Sequence, residues 1–138
     1  MINPAFAADE LSQSAEAIRA LVAFTWRYYL RNPEFLRLVN SENLHKGRHV
    51  RRSGRVRTMH SPLVALLRDV LRRGVRAGVF RRGIDPVQLY ISIAGEGYFY
   101  LSNRYTLSRI FGRDLMTPRA LAARARHMSD VIVNAVRK

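Results

Sequence analysis

The sequence predicts an all-α domain of five or six helices. Four prolines from position 33 onward directly follow a residue that can cap a helix, and these pairs are Asn32-Pro33, Ser61-Pro62, Asp85-Pro86 and Thr117-Pro118. A capping oxygen accepts a hydrogen bond from an unpaired backbone N–H, and proline at the first helical position lacks the N–H that would otherwise be unpaired. Between the pairs, apolar residues recur every three to four positions, as in amphipathic helices. The weak β-propensity of LYISIA does not predict a strand, because it directly follows a helix start.

The first helix is expected over residues 11–30, because its apolar residues form a wide stripe. That stripe contains Leu11, Ala15, Ile18, Val22, Trp26 and Tyr29, with Leu21, Phe24 and Tyr28 beside it. A wide apolar face indicates deep burial. The second helix is expected from Pro33 to Lys46, with Phe35, Leu38 and Val39 turned inward.

The third helix is expected to begin at Ser61 and to end near Gly78, after a loop over residues 47–60. Its inward residues would be Leu63, Leu66, Leu67, Val70 and Leu71, and its exposed residues Arg68, Arg72, Arg73 and Arg76. This division of apolar and charged faces is typical of a surface helix.

The fourth helix, from Pro86, is apolar nearly all round, which predicts that other elements cover it on several sides. Continued to Gly112 it would have about 26 residues and a length of about 39 Å, so a break is expected near Ser102-Asn103. The last helix begins at Pro118 and carries one narrow apolar stripe.

The fourth and last helices predict a homodimer, because together they carry more apolar surface than so small a domain can cover. Pairing with their copies in a second chain would give an isologous four-helix interface. The residues predicted for this interface are Tyr90, Ala94, Gly97, Leu101, Leu121, Ala125, Met128 and Ile132. The alternative is that both helices only pack on the third helix of their own chain.

A ligand site is predicted where polar residues interrupt the apolar fourth helix. Glu96 lies between two glycines, and a carboxylate in such a helix must be paired, protonated or facing a cavity. With aromatic residues opposite, the predicted site suits a planar or hydrophobic molecule and comprises Trp26, Tyr29, Phe35, Val39, Asn43, Glu96, Tyr100 and Asn103. The alternatives are an internal or cross-dimer partner for Glu96, and a plain core role for the aromatic residues.

The net charge of +14 attracts polyanions whatever the fold. All but two of the 24 cationic residues are arginine, a bias that GC-rich coding also produces. Nonspecific phosphate contacts are predicted for the segment after the second helix, at Arg48, Arg51, Arg52, Arg55 and Arg57. The alternative function is therefore a stand-alone basic helical protein that binds nucleic acid nonspecifically.

Enzyme, metal and cofactor chemistry are not expected. The chain has no cysteine, and it lacks a phosphate-binding glycine loop and a nucleophile elbow. Glu42 and His45 have the Glu-x-x-His spacing of di-iron carboxylate proteins, but those proteins need two copies and further glutamates. No signal peptide is expected at the N-terminus, and the most apolar window, residues 87–101, is too short to span a bilayer. A cytoplasmic protein without a membrane partner is expected.

Two blocks of the chain, YYLRNPEFLRLVNSENLHKGRH and GVFRRGIDPVQLYISIAGEGYFYLSNRYTLSRIFGRDL, resemble the C-terminal domain of tetracycline-repressor (TetR) type transcriptional regulators. The resemblance extends from about Leu11 to the closing helix. It implies an all-helical domain that dimerises through its last two long helices and encloses a pocket for a small effector. The implied function is ligand sensing in a repressor, where the effector controls DNA binding allosterically.

The chain departs from that family at its start. TetR-type regulators begin with a three-helix DNA-binding domain, and residues 1–10 do not resemble one. The expected division is therefore an N-terminal segment, residues 1–10, and an effector-binding and dimerisation domain, residues 11–138. DNA would be bound only through a domain that is absent here.

Overall fold

The computed structural model describes the backbone of residues 4–52 and 54–138, and the side chains of residues 13–51 and 62–138. Within these ranges it contains seven helices: α1 (Pro4–Arg31), α2 (Pro33–Leu44), α3 (Arg48–Arg52), α4 (Gly54–Arg76), α5 (Pro86–Ser102), α6 (Arg104–Phe111) and α7 (Pro118–Val136). An isolated antiparallel bridge joins Phe80 to Arg137, and the described residues form no strand. The all-α class is confirmed, with seven helices rather than five or six.

Helix α1 is the centre of the packing and contacts α2, α4, α5 and α7. Its predicted stripe is confirmed from residue 18 onward, since Ile18, Val22, Trp26 and Tyr29 are all buried. Leu11 lies outside the residues whose side chains are described. The buried side chains of the other helices complete the core, among them Leu67, Leu71, Ile93, Met128 and Ile132.

Three predicted helix starts are confirmed, and two of them use the predicted cap. The Asp85 carboxylate accepts a hydrogen bond from the Val87 backbone N–H at 2.9 Å. The Thr117 hydroxyl accepts one from the Ala120 N–H at 3.1 Å. Asn32 precedes α2 as predicted, but its side-chain amide instead donates to the Tyr28 carbonyl at 2.9 Å. This side chain therefore stabilises the end of α1 and not the start of α2.

The predicted start at Ser61 is wrong, and so is the predicted loop over residues 47–60. Helix α4 begins at Gly54 and carries Pro62 in its interior, while α3 occupies Arg48–Arg52. Proline removes only its own N–H from the helix and crowds the carbonyl four residues earlier. The helix continues through that position, so the Ser-Pro pair has the sequence of a helix start without being one.

Two inward-facing predictions are also wrong. On α2, Leu36 is buried at 5% exposure, whereas Leu38 is 66% exposed. On α4, Leu66 is 45% exposed and Leu67 is buried. Neighbouring helical residues point about 100° apart, so a small rotation of the contact face exchanges which leucine is covered. Helix α2 also ends before Lys46, and positive φ angles at Lys46 and Gly47 turn the chain.

The connection between α4 and α5 is anchored to the core. Phe80 is 1% exposed, and its ring packs so closely on Gly74 that a Cβ added there would lie 2.0 Å from a ring carbon. The Arg81 N–H donates to the Val136 carbonyl at 2.9 Å, and the Lys138 N–H donates to the Val79 carbonyl at 3.1 Å. This segment is thereby held against the end of α7. At the other end of α5, the break expected near Ser102-Asn103 is confirmed.

Candidate functional site

A cavity of about 260 Å³ lies among α1, α2, α4 and α5. We call it the aromatic cavity, and its lining consists of Phe24, Thr25, Tyr28, Tyr29, Phe35, Leu63 and Tyr90. Five of these seven residues are aromatic, and none carries a charge at neutral pH. The cavity therefore offers ring faces and hydroxyl groups to a bound molecule.

The turn between α1 and α2 assembles this aromatic cavity. Helix α1 ends at Arg31 and Pro33 begins α2, so Phe35 folds back onto the last turn of α1. The rings of Tyr29 and Phe35 stack with centroids 5.9 Å apart and planes 12° apart. The Tyr28 ring meets Phe35 edge-on at 5.4 Å. Such pairs each contribute about 0.5–1.5 kcal/mol beyond the burial of their area, so this wall is well ordered.

The aromatic cavity has a buried wall and an open side. Tyr29 is 6% exposed, whereas Phe24 and Tyr28 are 51% and 38% exposed. Burial, reinforced by the neighbouring Tyr90, Tyr28 and Tyr98, holds the pKa of the Tyr29 phenol well above its usual range. Burial also raises the pKa of Tyr90. Both phenols are thus neutral at physiological pH and can donate or accept hydrogen bonds.

Of the predicted ligand residues, Tyr29 and Phe35 line the aromatic cavity and the others do not. Trp26 faces elsewhere in the core, with its ring edge-on to Tyr100 at 5.8 Å and in contact with Gly97. The structure thus does not bring the predicted set together. The remaining members outside the cavity lining are Val39, Asn43, Glu96, Tyr100 and Asn103.

Glu96 faces α7, away from the aromatic cavity. The Arg124 guanidinium donates to the Glu96 backbone carbonyl at 2.9 Å and lies 5.2 Å from the centre of the Tyr100 ring. The buried Oε2 of Glu96 accepts no hydrogen bond from the described residues. Burial raises the pKa of Glu96, and the positive charges of Arg124 and His127 oppose that rise. The carboxylate is therefore placed between α5 and α7 and makes no direct ion pair with a described side chain.

The residues predicted for a dimer interface mostly lie inside the protomer. Leu101, Met128 and Ile132 are only 3%, 1% and 2% exposed, so they offer almost no surface to a second chain. Gly97 is also buried, and Tyr90 lines the aromatic cavity. Ala94, Leu121 and Ala125 are partly buried against the core. The exposed large apolar residues of α5 and α7 are instead Val87, Ile91, Phe99 and Val131.

Sequence reasoning missed much of the aromatic cavity. Phe24 and Tyr28 were placed only beside the core stripe, although their spacing of four residues puts them on one face of α1. Leu63 was assigned to the core and Tyr90 to the dimer interface. Leu63 and Tyr90 line the same cavity because of the way α4 and α5 cross α1. The spacing of apolar residues along each helix does not specify how helices cross. Thr25 had no distinguishing signal, and its hydroxyl donates to the Leu21 carbonyl at 3.0 Å.

Helix α3, which follows α2 and begins the basic segment, is held to α2 by the Glu42 carboxylate. Glu42 accepts hydrogen bonds from the backbone N–H groups of His49, at 2.6 Å, and Val50, at 3.0 Å. These bonds, the one from Val50 first, lower the pKa of Glu42. Arg48 and Arg51 are exposed, as a phosphate-contacting role requires. The predicted contacts at Arg52, Arg55 and Arg57 lie outside the residues whose side chains are described.

The chain resembles known regulatory proteins over nearly its whole length. Residues 15–132 match the family described as "Tetracyclin repressor-like, C-terminal domain". The HTH-type transcriptional repressor NicS of Pseudomonas putida is 39% identical over 129 residues, which cover 94% of this chain and 61% of that protein. The chain thus spans about three-fifths of the length of this relative. Within the described residues, no helix is both long and apolar enough to cross a membrane.

Proposed function

Because the chain belongs to the family of tetracycline-repressor-like C-terminal domains, we propose that it is the effector-sensing and dimerisation part of a transcriptional repressor. The observation that carries this proposal is the aromatic cavity, a concave, uncharged site formed by four helices. The relative is named as a transcriptional repressor with a helix-turn-helix, which supports control of DNA binding as the output.

The aromatic cavity favours a small planar effector of low charge. Its volume of about 260 Å³ is just below the range of about 300–1,000 Å³ that is usual for ligand pockets, so a molecule of one or two rings fits it. The stacked pair of Tyr29 and Phe35 offers apolar contacts, and the neutral phenols offer hydrogen bonds. A charged effector would find no counter-ion among the lining residues.

Helix α2 is the element that transmits occupancy of the cavity. Leu36 is its one fully buried residue, and the Tyr98 hydroxyl donates to Asn40 on its exposed side. A ligand that contacts Phe35 therefore acts on an element with few other anchors. An effector that binds one arrangement of α2 and α3 more tightly shifts the population toward it. In a dimeric regulator this shift changes the spacing of the DNA-binding domains.

Dimerisation is proposed through the outer faces of α5 and α7. Ile91 and Phe99 are 56% and 58% exposed on α5, and Val131 is 39% exposed on α7. Pairing these faces with their copies would bury apolar area that water otherwise covers, at a gain of about 25 cal/mol per Å². This arrangement keeps the predicted helices and replaces the predicted interface residues with their exposed neighbours.

Ligand titration tests the effector proposal. The probes are neutral molecules with one or two aromatic rings, such as phenol, indole and quinoline, and the readouts are the heat of binding and the thermal midpoint. Phe35→Ala should weaken binding by about tenfold or more, because it removes the stacked wall. The control, Leu38→Ala, lies on the same helix at 66% exposure and should leave affinity unchanged. Failure of every probe to bind, or equal losses in both variants, would contradict the proposal.

A further inference from the structure

A second hollow, of about 580 Å³, lies between the C-terminal half of α4 and the α4–α5 connection. We call it the arginine groove. Arg68, Arg72 and Arg76 line it from α4, and Arg81 and Arg82 line it from the connection. Leu71, Val75 and Ile84 add an apolar surface. It shares no lining residue with the aromatic cavity, and its lining is positively charged whereas that of the cavity is uncharged.

The positive charge of the arginine groove is not compensated within the described part of the chain. Arg68, Arg72, Arg76 and Arg82 form no ion pair or side-chain hydrogen bond with the residues described. The nearest acids in sequence are engaged elsewhere. Asp69 pairs with Arg73, which does not line the groove, and Asp85 caps α5. Several guanidinium groups therefore converge on one hollow with their donors free.

The α4–α5 connection, which forms one side of the arginine groove, is anchored before any ligand binds. Phe80 anchors the connection by packing on Gly74. The Arg81 Nε donates to the Ala135 carbonyl at 2.8 Å, at the negative end of the α7 dipole. Gly83 adopts a φ of 82°, a left-handed conformation that glycine accepts without strain. A preformed site loses less entropy when a ligand binds than a disordered one does.

We propose that the arginine groove binds a small organic anion with at least two carboxylate or phosphate groups. Guanidinium groups pair with such oxygens through two parallel hydrogen bonds. Arg68, Arg72 and Arg76 follow one another at four-residue steps, which places their α-carbons about 6 Å apart along α4. This spacing matches two anionic groups separated by a short carbon or phosphoanhydride link. Leu71, Val75 and Ile84 contact the uncharged body of the ligand.

A small anion fits the arginine groove better than a nucleic acid does. The volume lies within the usual range for small-molecule pockets, about 300–1,000 Å³. A phosphodiester backbone would gain nothing from the apolar surface between the arginines. Anion binding in this groove requires neither the aromatic cavity nor dimerisation, so its absence would leave the proposed function unaffected.

Calorimetric titration at constant ionic strength tests the inference, with citrate and pyrophosphate as probes and acetate as the single-charge comparison. The full chain should bind one citrate or pyrophosphate per protomer and should not saturate with acetate. The double variant Arg72→Gln/Arg76→Gln should weaken binding by about tenfold or more. The matched control Arg27→Gln/Arg31→Gln removes the same charge, at the same four-residue spacing, from exposed sites on α1 and should change affinity less than about twofold.

Four outcomes would contradict an anion site in the arginine groove. Equal losses in the two double variants would show a response to net charge alone. Absence of saturable binding would show that the groove is not an anion site. Displacement of citrate by equimolar duplex DNA would identify a nucleic-acid surface instead. A second readout avoids dependence on variant folding: citrate should shift the Nε–Hε signals of Arg68, Arg72 and Arg76 in the unmodified protein, and unchanged signals would contradict the site.

Discussion

Gly74→Ala should destabilise the fold, although the same change usually stabilises a helix. Gly74 lies inside α4, where alanine is favoured over glycine by about 1 kcal/mol. An added Cβ would lie 2.0–2.7 Å from three carbons of the Phe80 ring, which is 1% exposed, so the ring must move to admit it. If the ring is expelled, the loss approaches the about 3–5 kcal/mol of a Phe→Ala change in a core. Subtracting the helix gain predicts a net loss of about 2–4 kcal/mol.

Urea unfolding at one fixed protein concentration measures this loss, and a double-mutant cycle isolates its cause. In the background of Phe80→Ala, the space beside Gly74 is vacant, so Gly74→Ala should then stabilise by about 1 kcal/mol. Because Phe80 also anchors the α4–α5 connection, Gly74→Ala alone should weaken citrate binding in the arginine groove. A higher unfolding free energy for Gly74→Ala, or the same sign in both backgrounds, would refute the reasoning.

Two further predictions concern the dimer and the basic segment. Phe99→Glu places a charge on the exposed face of α5 and should convert the proposed dimer to monomer in sedimentation equilibrium, whereas Leu44→Glu, at an 82% exposed site on α2, should not. Glu42→Gln should speed amide exchange in α3 at neutral pH. Folding lowers the pKa of Glu42, so the Glu42 carboxylate stabilises α3 at pH values above the pKa of an unfolded glutamate, about 4.3. This stabilisation is lost as the pH falls through the pKa that Glu42 has in the folded chain. The faster exchange should therefore disappear in acid, and a pH-independent difference would contradict the capping role.

The sequence was most informative where one local interaction decides the structure. Asp85 and Thr117 cap helices that begin where predicted, because the donor lies within three residues of each side chain. The Ser61-Pro62 pair has the same sequence pattern but lies inside α4. Whether such a pair begins a helix depends on whether the residues before it are already helical. The cap-proline pairs therefore predicted most helix starts. A true start is distinguished from a proline inside a helix only by the conformation of the residues before it.

The candidate site was less predictable, because it depends on how helices cross. The stacking of Tyr29 on Phe35 follows from the sharp turn at Asn32, and both residues belong to the predicted ligand set. Tyr90 reaches the same cavity from α5, a placement that apolar periodicity alone could not separate from a dimer surface. The arginine groove depends on Phe80 and Gly74, whose contact joins a helix to the connection that follows it.

The aromatic cavity and the arginine groove share helix α4, and this gives them a physical means of coupling. Leu63 lines the cavity and Arg68 lines the groove, five residues or about 7.5 Å apart along the helix. A ligand that displaces α4 at Leu63 moves the row of arginines against the anchored connection. If both sites bind as proposed, linkage requires each ligand to change the affinity of the other by the same factor. Titrating citrate with and without a bound aromatic probe measures that factor, and a value of one would show that α4 does not couple the two sites.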